Sequence, residues 1–464
     1  MKDFIRDTEI EELLRKADSP DKKQILDIIE KSKELKGLAP EETALLLQTD
    51  DPELILAISE TAREIKQRIY GNRLVLFAPL YIANYCSNNC LYCGFRKDNK
   101  ELSRVSLTME QIAEEVRAIE REGHKRLLML CGEHLTRSSL DYFIEAIKTA
   151  YDTRTERGGE IRRINVEIAP MSVPDFKRLK AANIGTYVLF QETYHHKTYQ
   201  TMHPTGPKAD FARRLTAMHR AQEAGINDVG LGALFGLYDY RYEVLGLLIH
   251  ARTLEADCGV GPHTISVPRL EPALNAPAAI KPPRPVSDED FKKLVAVIRM
   301  AVPYTGMILS TRESPEIRTA VFELGISQIS AGSRTNPGGY SENSSEGFRA
   351  AQFNLGDTRT TDEVIHDITK KGHIPSFCTA CYRLGRTGGD FMDLAKPGLI
   401  QHFCRSNAMM TFKEYLMDYA SPRTRKLGEQ LLTRLLEETE KPETRRTLTE
   451  RLERIEKGER DIFI

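Results

Sequence analysis

Three cysteines stand close together in the segment Cys86-Ser-Asn-Asn-Cys90-Leu-Tyr-Cys93, a C-x3-C-x2-C spacing. Thiolates are the usual protein ligands of iron–sulfur clusters, and a [4Fe–4S] cube offers four irons. Three thiolates leave one iron with an open position, where a substrate can chelate, just as an open position separates catalytic from structural metal sites. Zinc is the competing metal, but a structural zinc site wants four ligands and no fourth stands nearby. A second set is Cys378-Thr-Ala-Cys381, followed after 22 residues by Cys404. A C-x2-C pair alone suits zinc or redox chemistry equally. Coupled to a distant third cysteine, in a chain that already carries one cluster motif, it favours a second cluster, again with one iron lacking a protein thiolate. Cys131 and Cys258 read as small apolar residues and not as ligands.

These residues need elements to hold them. The chain has 464 residues, enough for a large single-core barrel with appendages. Its 66 basic and 67 acidic side chains create no field favouring nucleic acid or an anionic membrane. No apolar run approaches the ~20 residues of a spanning helix. The charged N-terminus lacks the apolar core of a signal peptide, so a cytoplasmic enzyme is expected. Cysteines clustered in such a chain point to metal or catalysis and not to a disulfide scaffold.

The first ~70 residues show the apolar spacing of helices. From Leu74 onward, short apolar or β-branched runs alternate with amphipathic segments: 74–85, 125–133, 164–170, 186–192, 228–237, 263–270, 306–313 and 326–333. Alternation of this kind builds parallel βαβ units. Eight of them close most naturally into a (β/α)8 barrel, with a doubly wound open sheet as the rival. Cys86, Glu133, Glu192, Arg269, Arg312 and Ser333 all fall at the C-terminal ends of runs, where barrel active sites are assembled. The expected organisation is an N-terminal helical extension (1–72), a barrel (73–345) and a helical C-terminal segment (346–464) that carries the second cysteine set and ends in a charged helical hairpin.

The CSNNCLYC segment, with aromatic Tyr92 before its last cysteine, resembles the signature of the radical SAM superfamily. The resemblance implies an open iron that binds the amino and carboxylate groups of S-adenosylmethionine (SAM). One electron from the reduced cluster then releases a 5′-deoxyadenosyl radical. Cys131-Gly132-Glu133 looks like that superfamily's GGE segment, whose backbone holds the SAM amino group, with cysteine in place of the first glycine. Glu192, in Gln191-Glu192-Thr193, and Arg213 look like its SAM-contacting acid and base. Read without the resemblance, Glu192 suits a barrel-end salt bridge, and Arg213 beside Arg214 suits a solvated helix face.

The C-x2-C-x22-C tail behind such a barrel resembles the HydG family, the radical SAM tyrosine lyases of [FeFe]-hydrogenase maturation. The segments QETYHHKTYQTMHP, GPHTISVPRL and SAGSRTNPGGY are also similar to the related tyrosine lyase of thiamin biosynthesis, which lacks the tail triad. The resemblance implies cleavage of the Cα–Cβ bond of L-tyrosine to p-cresol and dehydroglycine. Carbon monoxide and cyanide then form on an auxiliary [4Fe–4S] cluster held by Cys378, Cys381 and Cys404. That cluster is expected to carry a labile extra iron with a free L-cysteine, and His263 matches the family's ligand to this iron. Taken alone, His263 is more often a strand-end hydrogen bonder. Implied partners are an electron donor, a scaffold GTPase and a second radical SAM maturase. A tyrosine carboxylate calls for a guanidinium fork, and Arg269, Arg312 and Arg334 all sit at expected strand ends. Two other readings stay open: a 2-iminoacetate synthase that stops at dehydroglycine, and a non-catalytic Fe–S carrier.

Overall fold

A computed structural model describes residues 2–341 and 347–464. The eight apolar runs form β1 (Arg73–Ala83), β2 (Arg126–Cys131), β3 (Arg163–Glu167), β4 (Tyr187–Val188), β5 (Val229–Gly232), β6 (Thr264–Ser266), β7 (Gly306–Leu309) and β8 (Ile326–Ser330). Their near-continuous apolar character fits strands covered on both faces. All pair in parallel with the next in order. β1 pairs with both β2 (Ala78 opposite Leu127) and β8 (Val75 opposite Gln328), which closes the ring. Closure through β1 excludes the doubly wound open sheet.

The crossover helices begin where short polar side chains take up the first free N–H groups. Thr108 and Gln111 form a capping box ahead of Met109–Arg121, while Ser139, Ser172, Ser287 and Ser314 cap later helices. Four N-terminal helices end at Tyr70. The last of them, Pro52–Tyr70, packs on Asp288–Ala301 of the barrel's outer ring. The N-terminal segment is pinned further by His196, which lies 2.6 Å from Asp3 Oδ2 and 2.6 Å from Asp7 Oδ1.

The expectation of purely helical structure after residue 345 is corrected by a ninth strand, β9 (Ile374–Ser376), parallel to Arg73–Val75 of β1. The cause is length. β1 has 11 residues, and on the edge away from β8 its partner β2 engages it only from Ala78 onward, so Arg73–Val75 extend below β2 with ladder groups to spare. β9 takes these at the barrel's N-terminal rim, and its Pro375 is tolerable on an edge strand. Beyond it lie Ala380–Arg383, Gly389–Ala395 and the long helix Ile400–Asp418, then the expected hairpin, Pro422–Glu437 and Pro442–Glu456. The expected boundary at 345/346 falls outside the described residues. Among the described residues, no helix is long and apolar enough to cross a membrane.

Candidate active site and second cysteine centre

At the C-terminal mouth of the barrel lies a cavity of about 1610 Å³, counted to its open rim. Cys86, Cys90 and Cys93 line it together with Tyr92, Gly132, Glu133, Glu192 and Arg312. Their loop follows β1 and is held by its own asparagines. Asn88 Nδ2 donates to Glu133 Oε2 (2.7 Å), and Asn88 Oδ1 accepts from the Lys208 backbone N–H (2.8 Å). The Ser87 N–H donates to the Glu133 carbonyl at 2.7 Å. Gly132 is needed at this approach, because a Cβ there would collide with the Tyr85 carbonyl and lie 3.2 Å from Cys86 Cβ. Arg104 clamps the far side of the loop, donating to the carbonyls of Asn84 (2.8 Å), Phe95 (2.7 Å) and Arg96 (2.6 Å). Tyr92 is buried, and its hydroxyl meets His203 Nε2 at 2.7 Å.

Glu192 has φ +73, in the left-handed region. Such a conformation costs ~1–3 kcal/mol for a residue other than glycine and clusters at functional sites. Its carboxylate is clamped by Lys208 and by Arg214 Nη2 (3.4 Å), while Arg214 Nε donates to the Phe190 carbonyl at 2.6 Å. Burial opposes ionisation of Glu192, but Lys208 and Arg214 outweigh it and hold the carboxyl below its ordinary range.

Two sequence expectations are corrected here. Arg213 does not line the cavity. Its guanidinium donates to the Pro170 carbonyl (3.0 Å), and the neighbouring Arg214 lines the cavity instead. Of the three arginines offered for a substrate carboxylate, only Arg312 lines it. Arg312 makes no side-chain hydrogen bond to a described residue and stacks 3.3 Å from the Phe353 ring centroid. Arg269 is consumed by Glu313, with Nε 3.0 Å from both carboxylate oxygens, and by Asp288 (2.8 Å). Arg334 Nη1 donates to the carbonyls of Ser333 (3.0 Å) and Gly332 (3.4 Å).

The second cysteine set lines another cavity, of about 580 Å³, at the opposite end of the barrel. Cys378 and Cys381 follow β9, and Cys404 comes from the long helix Ile400–Asp418. Arg73, Arg126, Asp228 and His263, all at the N-terminal ends of strands, complete the wall. Arg126 Nη1 donates to the Cys378 carbonyl at 3.1 Å. His263 Nδ1 is 3.5 Å from Asp228 Oδ1, and its ring stands 4.3 Å from that of Phe391. Burial, aided by Arg126 and Arg73 and opposed by Asp228, lowers the His263 pKa and keeps the imidazole neutral, the form that ligates metal. Gln328 of β8 lines both cavities.

The donor sets fit clusters better than single ions. All six cysteines are free, and among the described residues no three Cys, His, Asp or Glu converge as one ion requires. A cube spreads its thiolates over separate irons. Burial raises Cys90 and Cys381 to about 12, and Cys93 and Cys378 to about 11. Metal coordination reverses this by deprotonating the thiol outright.

Residues 80–245 match the Radical SAM superfamily, and residues 266–374 match the Biotin and Thiamin Synthesis associated domain. The chain is a radical SAM enzyme, which implies a [4Fe–4S] cluster and SAM and sets aside the non-catalytic carrier. It is 32% identical to the 2-iminoacetate synthase of Escherichia coli (strain K12) over 68% of this chain and 81% of that protein. A crystal structure of HydG, described as a maturase of the [FeFe]-hydrogenase, superposes with TM-score 0.96 at 54% identity, covering 100% of both chains. The HydG of Carboxydothermus hydrogenoformans gives TM-score 0.84 at 41% identity, covering 96% of this chain and 97% of the other. The chain belongs to the HydG family of [FeFe]-hydrogenase maturases.

Proposed function

We propose that the chain cleaves the Cα–Cβ bond of L-tyrosine to p-cresol and dehydroglycine in the first cavity. The dehydroglycine fragment then gives carbon monoxide and cyanide at the second, for assembly of the hydrogenase H-cluster. One observation carries this reading: two cysteine triads lie at opposite ends of one barrel, in cavities that adjoin at Gln328. On this reading the small fragment passes from the first cavity to the second past that side chain.

When bound, a [4Fe–4S] cluster on Cys86, Cys90 and Cys93 supplies with SAM the 5′-deoxyadenosyl radical, while an auxiliary cluster on Cys378, Cys381 and Cys404, with a labile iron held by His263 and free L-cysteine, supplies the metal for the products. The chain's own groups orient the reactants. Gly132 offers its backbone and Glu192 its clamped carboxylate to SAM, with Arg214 in the role expected of Arg213. Tyr92 closes the wall beside them, and Glu133 holds the cysteine loop through Asn88. Arg312, with its guanidinium unspent, forks onto the tyrosine carboxylate. Arg73 and Arg126 bring positive charge to the second cavity, which suits anionic fragments. An electron donor, a scaffold GTPase and a second radical SAM maturase are the proposed partners, and 1–72, 73–345 and 346–464 the proposed divisions. The 2-iminoacetate synthase reading is not favoured, because the identity to that enzyme is 32% against 54% to a HydG.

The test is incubation of reconstituted, reduced protein with tyrosine and SAM, assaying p-cresol and trapping carbon monoxide on a haem protein. Both products are expected. p-Cresol without carbon monoxide would return the chain to the 2-iminoacetate synthase reading.

A further inference from the structure

Three glutamates line the first cavity, and they are not equivalent. Glu133 is held by Asn88, and Glu192 by Lys208 and Arg214. Glu167, the last residue of β3, lines the same space, and no hydrogen bond or ion pair ties its carboxyl to a described residue. We propose that Glu167 is the base that takes a proton from the α-ammonium of bound tyrosine before hydrogen-atom abstraction. This rests on the tyrosine-lyase reading above.

The chemistry requires such a base. Tyrosine in neutral water carries a protonated amine, and an ammonium nitrogen has no lone pair with which to stabilise a radical left on it. The nitrogen must be neutral before it loses a hydrogen atom. The proton passes from the ammonium nitrogen to a Glu167 carboxylate oxygen, and the N–H electron pair stays on nitrogen. No oxidant or reductant is involved in this step, and the proton is given to water when product leaves.

Position supports the assignment. Arg312, the free guanidinium offered to the substrate carboxylate, is near enough to Glu167 that each shifts the other's ionisation. One end of an amino acid on Arg312 therefore leaves its ammonium within the same charged neighbourhood. The groups facing Glu167 are Tyr81 of β1, Cys131 of β2, Tyr187 of β4, Glu192 after β4, Lys208, Arg214, and Arg312 after β7. Burial foremost, and next the charge of Glu192, raise the Glu167 carboxyl to about 7, against the opposing pull of Lys208, Arg214 and Arg312. A base performs best with its pKa near the working pH. Glu192, held ionised by its cations, is the poorer proton acceptor.

The experiment compares wild type, Glu167→Gln and Glu167→Asp as cluster-loaded enzymes. Tyrosine binding is followed by the change it causes in the EPR spectrum of the SAM-bound reduced protein. Wild-type kcat/KM for p-cresol formation is expected to rise with pH through a limb near 7. Glu167→Gln should still bind SAM and tyrosine, but form p-cresol ~100-fold more slowly or worse, with that limb absent. Glu167→Asp should recover part of the rate with the limb moved. Near-wild-type turnover in Glu167→Gln, or a limb unmoved in Glu167→Asp, overturns the assignment. If Glu167→Gln does not fold, the position of the limb in Glu167→Asp decides alone. Wild-type protein that makes no p-cresol overturns the tyrosine-lyase reading instead, so the two failures are distinguishable.

Discussion

The two ends of the barrel hold similar cysteine sets by different means. At the C-terminal mouth, one loop of eight residues carries all three thiols, and short polar contacts from Asn88, Arg104 and Lys208 lock it against neighbouring strand ends. At the N-terminal end, the thiols come from the segment after β9 and from a long helix, brought together by packing of the C-terminal segment on β1, on the helix Pro52–Tyr70 and against Arg126 of β2. The first arrangement is local and pre-organised. The second is tertiary, and it depends on the overhang of β1 that recruits β9. A site built the first way can keep its geometry when the other end is disturbed, and the two chemistries can then be separated by substitution.

The largest effect expected is at the mouth. Cys90→Ala should abolish SAM-dependent deoxyadenosine release and with it p-cresol, carbon monoxide and cyanide, a fall of ~10³-fold or more. EPR should show the second cluster retained. Loss of both signals would mean the two ends fold as one unit.

The arginines sharpen the contrast between an unspent group and a committed one. Arg312→Gln should weaken tyrosine use ~30-fold or more, with little loss of stability, since a charge-assisted fork is worth ~2 kcal/mol or above. Arg269→Gln strands buried Glu313 and should cost about 3 kcal/mol of stability, with a small change in tyrosine affinity among molecules that stay folded. Urea denaturation and substrate titration on both variants check the pair. Reversed outcomes would exchange their roles.

A smaller, pH-dependent effect belongs to Glu192. Its folded carboxyl lies below the ordinary glutamate value, so its contribution is fully present above pH ~4.3 and is lost as pH falls through the depressed folded value. Wild type should exceed Glu192→Gln in stability by about 2 kcal/mol at pH 7. The gap should close as pH drops below 4. A gap that widens in acid would contradict the Lys208–Glu192–Arg214 clamp.

The strands and the cysteine spacings stood plainly in the sequence because both are local patterns, one of apolar runs and one of fixed offsets. What stayed hidden was relational. Arg213 and Arg214 are adjacent letters, but a one-residue step turns ~100° about a helix, and only the Asp210 cap and the packing of Phe211–Leu215 decide which one faces inward. Asn88 lay within the motif itself, yet its bond to Glu133 spans 45 positions. Lys208 gave no signal at all, because its role exists only where two loops meet over Glu192. β9 escaped because Ile-Pro-Ser is too short and carries a proline, and its reason to exist lies in the length of β1. Arg269 and Arg334 were placed at the right ends of the right strands, and their spent donors are visible only in three dimensions.

The division of labour between the two ends is tested most directly by the double variant Cys378→Ala/Cys381→Ala, with p-cresol and haem-trapped carbon monoxide measured in one reaction. The expected result is p-cresol within about twofold of wild type, since the mouth is locally built, while carbon monoxide collapses to background. Equal loss of both products would contradict the account.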